Sequence, residues 1–231
     1  QTGGVDTDDD VNETAACIDD RARDSVVVAG ADAQTYLQSQ VAQEIRDLRV
    51  GAARWTLVLD PTGKIEVLAR IRRTEDDVFV LDTDAGFGVG LLARIDRFKI
   101  RVDVTTTLEH ASVGSPSVEH EAARVAAGWP RMGNEIEPGV TIPATTGVVP
   151  VTVDFRKGCY PGQELVERMD SRGADAPRSL RIVDLAQGAA VGDAVHDADG
   201  IEVGRVTSVS GEAGIGLAYV KRGADVGRPP V

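Results

Sequence analysis

Five consecutive residues, Gly158-Cys159-Tyr160-Pro161-Gly162, restrict the fold of this chain more than any others. The glycines give the backbone access to positive φ and the proline fixes its own φ, so the segment reads as a sharp turn. Arg156 and Lys157 stand just before it. Gln163 and Glu164 follow, and then Leu165, Val166 and Met169 fall at the spacing of one apolar helix face. A cysteine beside cations, on a turn that opens a helix, is where an exposed and reactive thiol is expected. The same turn can also be a plain strand-to-helix connection, with the cysteine packed as a small hydrophobe.

The rest of the pattern places this turn late in an α+β unit. Ser25–Ala29 reads as a buried strand. Asp32 is the expected N-cap of a helix through about Gln43, with Tyr36, Leu37 and Val41 on one face. Arg54–Asp60 and Ile65–Ile71 form a hairpin about the turn Pro61-Thr62-Gly63-Lys64. Val78–Asp82 is a third strand, 85–98 a helix with Leu91, Leu92, Ile95 and Phe98 at helical spacing, and Ile100–Val104 a closing strand. Gly86-Phe87-Gly88-Val89-Gly90 lacks the register of a phosphate loop. Residues 105–128 turn Thr-, Ser- and Ala-rich, with a short helix from Val118 to Ala127. His110 and His120 there have no zinc-ligand spacing. From 179 onward, short apolar runs (Leu180–Leu185, Glu202–Val209, Ile215–Val220) alternate with Asp/Gly turns, which predicts a small closed or half-closed β-barrel. The organisation expected is an acidic flexible N-terminus over 1–16, an α+β domain over 17–173 and a barrel domain over 174–231.

Charge narrows the classes of partner. The formal charge is −12; only four of the 25 cations are lysine, and Asp outnumbers Glu by 24 to 13. Such a surface fits either a salty cytoplasm or a GC-rich genome, and with no basic run it speaks against direct nucleic-acid binding. Cys17 and Cys159 are too few for a disulfide framework and form no C-x-x-C pair, which favours reduced thiols in the cytoplasm. No apolar run approaches a membrane span, and residues 1–20 are too acidic for a signal peptide. No metal site is expected.

Phe155-Arg156-Lys157-Gly158-Cys159-Tyr160-Pro161-Gly162-Gln163-Glu164, with Arg168 four residues on, resembles the K-G-C-[FY]-x-G-Q-E signature of the folate-binding YgfZ-type proteins. These are relatives of the glycine cleavage system T protein, the aminomethyltransferase. VVVAGADAQTYLQSQVAQEI, from Val26, resembles the family's opening segment, and VGRVTS at 203–208 a strand of its C-terminal barrel. Trp129–Gly133 and Pro143–Pro150 resemble two further family segments loosely, and 144–147 lacks the Glu that relatives often carry there.

The resemblance implies an aminomethyltransferase-like folate-binding domain of ferredoxin-like sheet-and-helix units, followed by a small barrel. It implies tetrahydrofolate as the cofactor, and iron–sulfur assembly machinery or client iron–sulfur proteins as partners. Cys159 is then the chemically active residue. Lys157, Gly158, Tyr160, Gly162, Gln163, Glu164, Arg168, Arg54 and Trp55 are the expected folate contacts, with Trp55 offering a plane for the pterin and the cations suiting the glutamate tail. The aminomethyltransferases carry a catalytic Asp in an Asp-Asp pair on the strand after the first hairpin turn; here those positions fall at Val67 and Leu68. An apolar side chain cannot take up a proton or steady a developing cation. The reading that follows is an accessory protein for iron–sulfur cluster assembly or repair. An aminomethyltransferase, and a folate-binding module without chemistry, are the alternatives.

Overall fold

The computed structural model describes residues 23–111, 118–171, 176–211 and 214–230. Cys17 and the acidic N-terminal stretch lie outside them. The described residues divide into two compact units: one built from 23–111, 130–171 and 176–177, the other from 118–129, 178–211 and 214–230.

The larger unit is a five-stranded antiparallel sheet with helices on one face. Its strands are β1 (Arg23–Ala29), β2 (Ala53–Leu59), β3 (Ile65–Glu75), β4 (Val78–Asp84) and β5 (Thr105–Glu109), in the order β2-β3-β4-β1-β5. Alternation sets the two faces. Val26, Val28, Val58, Val67, Ala69, Ile71, Phe79 and Leu81 point to one side. Helices α1 (Ala33–Gln38) and α2 (Gly88–Asp96) cover that side with Tyr36, Leu37, Leu91 and Ile95. Each such side chain, taken out of water, contributes about 1.5–3 kcal/mol.

Two expectations about this unit are corrected. The first helix stops at Gln38 rather than near Gln43, and the Asp32 side chain does not cap it; its Oδ2 accepts the N–H of Asp103 instead (2.8 Å). The last strand is Thr105–Glu109, not 100–104. It pairs with β1 at the sheet edge, where its side chains alternate exposed and half-buried. In the glycine run at 86–90, two amides are taken by a side chain: Asp24 Oδ2 accepts from Gly86 N (2.9 Å) and Gly88 N (3.0 Å) at the start of α2.

After β5 the larger unit resumes beyond residue 130. It contains a 3-10 turn at Pro143–Thr145, the short helix α4 (Val149–Thr152) and α5 (Gln163–Ser171); α3 (Val118–Ala126) belongs to the other unit. In that second unit, β6 (Arg178–Asp184), β7 (Ala194–His196), β8 (Glu202–Ser210) and β9 (Ile215–Lys221) form an antiparallel sheet in the order β6-β9-β8-β7. Among the described residues β6 and β7 do not pair, so the strands form an open sheet where the sequence pattern predicts a barrel. One side of the sheet holds a valine cluster, and Val125 of α3 packs with Leu180, Ile182 and Leu217. Arg124 is buried on the same helix. It bonds Glu121 (2.6 Å), the Trp129 carbonyl (2.6 Å) and Ser208 Oγ (2.6 Å), so its guanidinium is satisfied where it is dry.

Candidate functional site

The Cys159 turn is pinned at both ends by backbone. At one end Lys157 runs inward instead of flanking the thiol. Its Nζ donates to the carbonyl of Gln38 (2.6 Å) and to that of Val41, and sits 5.1 Å from the centre of the Tyr160 ring. Burial lowers the amine from its ordinary 10.5 to about 8. At the other end Gly162 (φ +83°) meets the β2–β3 turn at Gly63 (φ +88°). A Cβ on Gly162 would lie 2.4 Å from the Asp60 carbonyl oxygen, and one on Gly63 would lie 2.4 Å from Leu165 Cβ. No side chain larger than hydrogen fits either position, and both use a conformation that favours glycine.

Between these pins the chain is exposed at Gly158 and Cys159, and the thiol is free. The Tyr160 N–H donates to Gln163 Oε1 (2.9 Å), which ties the turn to the first residue of α5. Tyr160 itself is 7 % exposed, and its hydroxyl has no hydrogen-bond partner among the described residues. Burial raises that phenol to about 12. Arg156 is exposed, 3.6 Å from Asp154; Glu164 and Arg168 are exposed on α5.

Arg54 and Trp55 are adjacent on β2 and therefore point to opposite faces. Arg54 turns toward residues 44–47, where it donates to the Glu44 carbonyl (2.6 Å) and holds Asp47 bidentately (2.5 and 2.9 Å). Trp55 lies on the face away from the helices. Cross-strand pairing aligns it with Arg70 of β3, Asp82 of β4 and Ser25 of β1. Asp82 accepts from Arg72 (2.6 and 3.1 Å) and from Ser25 Oγ (2.7 Å), and the Arg23 guanidinium stacks 5.1 Å from the Trp55 ring. The expected folate contacts thus divide between two places: the pinned turn and this charged face. Arg54 belongs to neither.

Val67 and Leu68, where the resemblance places the acids of aminomethyltransferases, are dry and apolar. Val67 faces the helices within the main core. Leu68 is buried on the other face opposite Leu57, with the Met132 sulfur 3.4 Å from its N–H. Glu66 sits at a bulge in the β2–β3 pairing and is half-buried. Among the described residues no group of three or more His, Cys, Asp or Glu is placed to hold a metal ion.

The sequence reading missed the partners that make this geometry. The Gln38 carbonyl ends α1, and that of Val41 lies in the loop after it, which also bonds Asp154 N through the Ala42 carbonyl (3.1 Å) and the Val151 carbonyl through Gln43 Nε2 (3.1 Å). Arg94 is buried beside this loop. It donates to the Leu59 carbonyl (2.7 Å) and Gln40 Oε1 (3.1 Å), and burial lowers its basicity. A cation at the spacing of Leu91 and Ile95 was the available signal.

No family model matches the chain. An uncharacterized protein of Haemophilus influenzae is 24% identical over 226 residues, covering 79% of this chain and 80% of that protein. A mitochondrial protein of Neurospora crassa, described as an iron–sulfur cluster assembly factor IBA57 homolog, is 33% identical over 102 residues; these are 42% of this chain and 23% of that protein. The crystal structure of the glycine cleavage system aminomethyltransferase T from Bartonella henselae superposes with a TM-score of 0.70 at 14% identity, over 90% of this chain and 81% of that one. The fold is therefore that of the aminomethyltransferase T proteins. This fold likeness and the sequence similarity to the IBA57 homolog agree with the resemblance carried by the cysteine motif.

Proposed function

We propose that this protein binds tetrahydrofolate and supports the assembly or repair of iron–sulfur clusters through Cys159. The observation that carries this reading is a free, exposed thiol on a turn fixed at both ends; the buried, apolar Val67 and Leu68, where the resemblance puts the transferase acids, support it. A thiolate is a nucleophile and a soft ligand for iron. One thiol supplies one of the four ligands a cluster usually has, so Cys159 shares or passes on a cluster whose other ligands come from the partner. The name of the Neurospora relative supports the same assignment.

The residues present fit a reduced folate. The Tyr160 hydroxyl, without a partner among the described residues, is a buried polar atom that a pterin edge or ordered water would satisfy. Trp55 is 7 % exposed with Arg23 over its ring, so a pterin would stack there only by displacing Arg23. Bound folate would supply one-carbon chemistry; this chain's part is to bind it, keep the Cys159 turn in place and leave no acid at Leu68 to assist aminomethyl transfer. Arg156 and Arg168 are the exposed cations on either side of the turn for the glutamate tail.

Calorimetry with tetrahydrofolate tests binding, and turnover with an aminomethyl-loaded lipoyl carrier protein tests transfer. Binding without turnover is expected. Absence of heat and of any thermal shift at near-millimolar folate would remove the ligand from this reading. Turnover at an enzyme's usual rate would return the chain to the aminomethyltransferases. Cys159→Ala is expected to keep folate binding and lose cluster-related activity in cells; full activity of that variant would leave a binding module without thiol chemistry.

A further inference from the structure

The C-terminal unit carries a cleft of about 710 Å³ that neither folate binding nor the Cys159 turn uses. It opens where β6 ends and the chain runs through 185–193 to β7, with residues 225–227 as its far wall. Its floor is apolar: Val183, Val195 and Val206 come from three strands and belong to the valine cluster. β7 pairs with β8 alone among the described residues, so its other edge is open to an extended segment. Asp184, Asp193, Asp197 and Asp225 stand around this floor, and no Lys or Arg lines the cleft. Two of these carboxylates are fixed by backbone amides: Asp193 accepts from Ala190 N (2.8 Å), and Asp197 from Asp199 N (3.0 Å) and Ile201 N (2.9 Å). Asp184 and Asp225 are exposed.

We propose that this cleft docks an extended basic segment of a partner protein, with Lys or Arg alternating with small apolar residues. Side chains of an extended segment alternate in direction, so one set meets the valine floor. The long stems of the other set bring their cations to the aspartates while covering apolar surface. The volume lies in the range of sites that bury a ligand's side chains, about 300–1,000 Å³. A second copy of this chain, with a net charge of −12, would be repelled. The inference is independent of folate binding.

Fluorescence anisotropy of a labelled Lys-Val-Arg-Ala-Lys-Val peptide with the full chain at low ionic strength tests it. Saturable binding is expected, and the pair D184N and D225N should weaken it at least tenfold. Ala186→Trp, which fills the opening without changing charge, should do the same. The pair D76N and D77N removes two charges from the exposed β3–β4 turn of the other unit and should leave affinity within twofold. Equal loss in the two double variants would reduce the effect to general attraction by an acidic surface and overturn the proposal. So would no saturable binding, equal binding of a Glu-Val-Asp-Ala-Glu-Val peptide, or spermine binding as tightly as the basic peptide, which would make this a small-polycation site.

Discussion

The two halves of the candidate site are held by different physics. The Cys159 turn is fixed by backbone: carbonyls grip Lys157, and Gly162 lies against Gly63 and the Asp60 carbonyl. The Trp55 face of the same sheet is fixed by charge, with Asp82 gripped by Arg72 and Ser25 and with Arg23 over the indole. Backbone contacts set a shape that a substitution can only break, because nothing there can rotate away. Charge contacts set a balance that a substitution leaves uneven. The first should therefore fail sterically and the second electrostatically, which ranks the expected effects.

The largest effect is expected at Gly162→Ala. A non-glycine residue in the left-handed region is disfavoured by roughly 1–2 kcal/mol and overpacking adds about 1–3, so a loss of about 3 kcal/mol is predicted from urea denaturation. Gly158→Ala is the matched control. Its φ is not in that region and nothing lies within 4 Å of an added Cβ, so it should shift stability by less than about 0.5 kcal/mol. Similar values for the two would mean that the turn is not pinned at Gly162.

Next comes Asp82→Ala on the charged face. Asp82 is 6 % exposed, and its loss removes the two bonds it accepts from Arg72. Breaking a buried pair costs about 3–5 kcal/mol, but the Arg72 side chain is 37 % exposed, which brings the expectation down to about 2 kcal/mol. Asp82→Ala with Arg72→Met should recover part of that loss; a cycle showing no coupling would remove the pair from the account of this face.

These contrasts also show why parts of the structure were legible in the sequence and parts were not. The strands of the main sheet follow from alternation, and the β2–β3 turn from Pro61 and Gly63. The end of α1 was hidden because no Gly or Pro marks it. Glutamines do the work of breakers there: Gln38 Oε1 accepts Ile45 N (2.9 Å), and Gln34 Nε2 donates to the carbonyls of Ile45 (3.2 Å) and Arg46 (3.0 Å). β5 is a threonine run at an edge with little hydrophobic contrast to read, and β7 has three residues. The cysteine turn was visible as a motif, whereas the direction taken by Lys157 depends on carbonyls more than a hundred residues away.

That direction gives a third, smaller prediction. The Lys157 amine is held down to about 8 by burial, while the unfolded chain keeps its proton up to its ordinary 10.5. Between those values the unfolded state binds more protons, so the unfolding free energy should rise with pH across the window. Below pH 8 both states are protonated and the penalty of burying the charge is fully present. After allowance for solvent screening the rise is on the order of 1 kcal/mol. Tyr36 and Tyr160, raised to about 12 by burial, act in the opposite sense above the ordinary tyrosine value of 10.0, so the measurement belongs between pH 8 and 10. Chemical denaturation at stepped pH should show a positive slope that Lys157→Met removes; the same slope in that variant would assign the effect to another group.

The smallest effect on stability is expected at Cys159→Ala. The side chain is exposed, the pins lie on either side of it, and its removal opens no cavity. A change within about 0.5 kcal/mol is expected, as for surface positions generally. The wild-type thiol should react with iodoacetamide in the native protein about as fast as in urea, because no closure of the fold protects it. If the turn instead packed the sulfur as a small hydrophobe, native labelling would be slow and the alanine variant would lose about 1 kcal/mol or more. Gly162→Ala sharpens the contrast when labelled in the same way. If the pinned turn only exposes the sulfur, releasing it leaves the rate unchanged; if bound folate covers the turn, folate should slow labelling in the wild type and fail to do so in Gly162→Ala. No folate effect on labelling of the wild type would place the ligand away from the turn, on the charged face, and Trp55, not the cysteine turn, would become the side chain to follow.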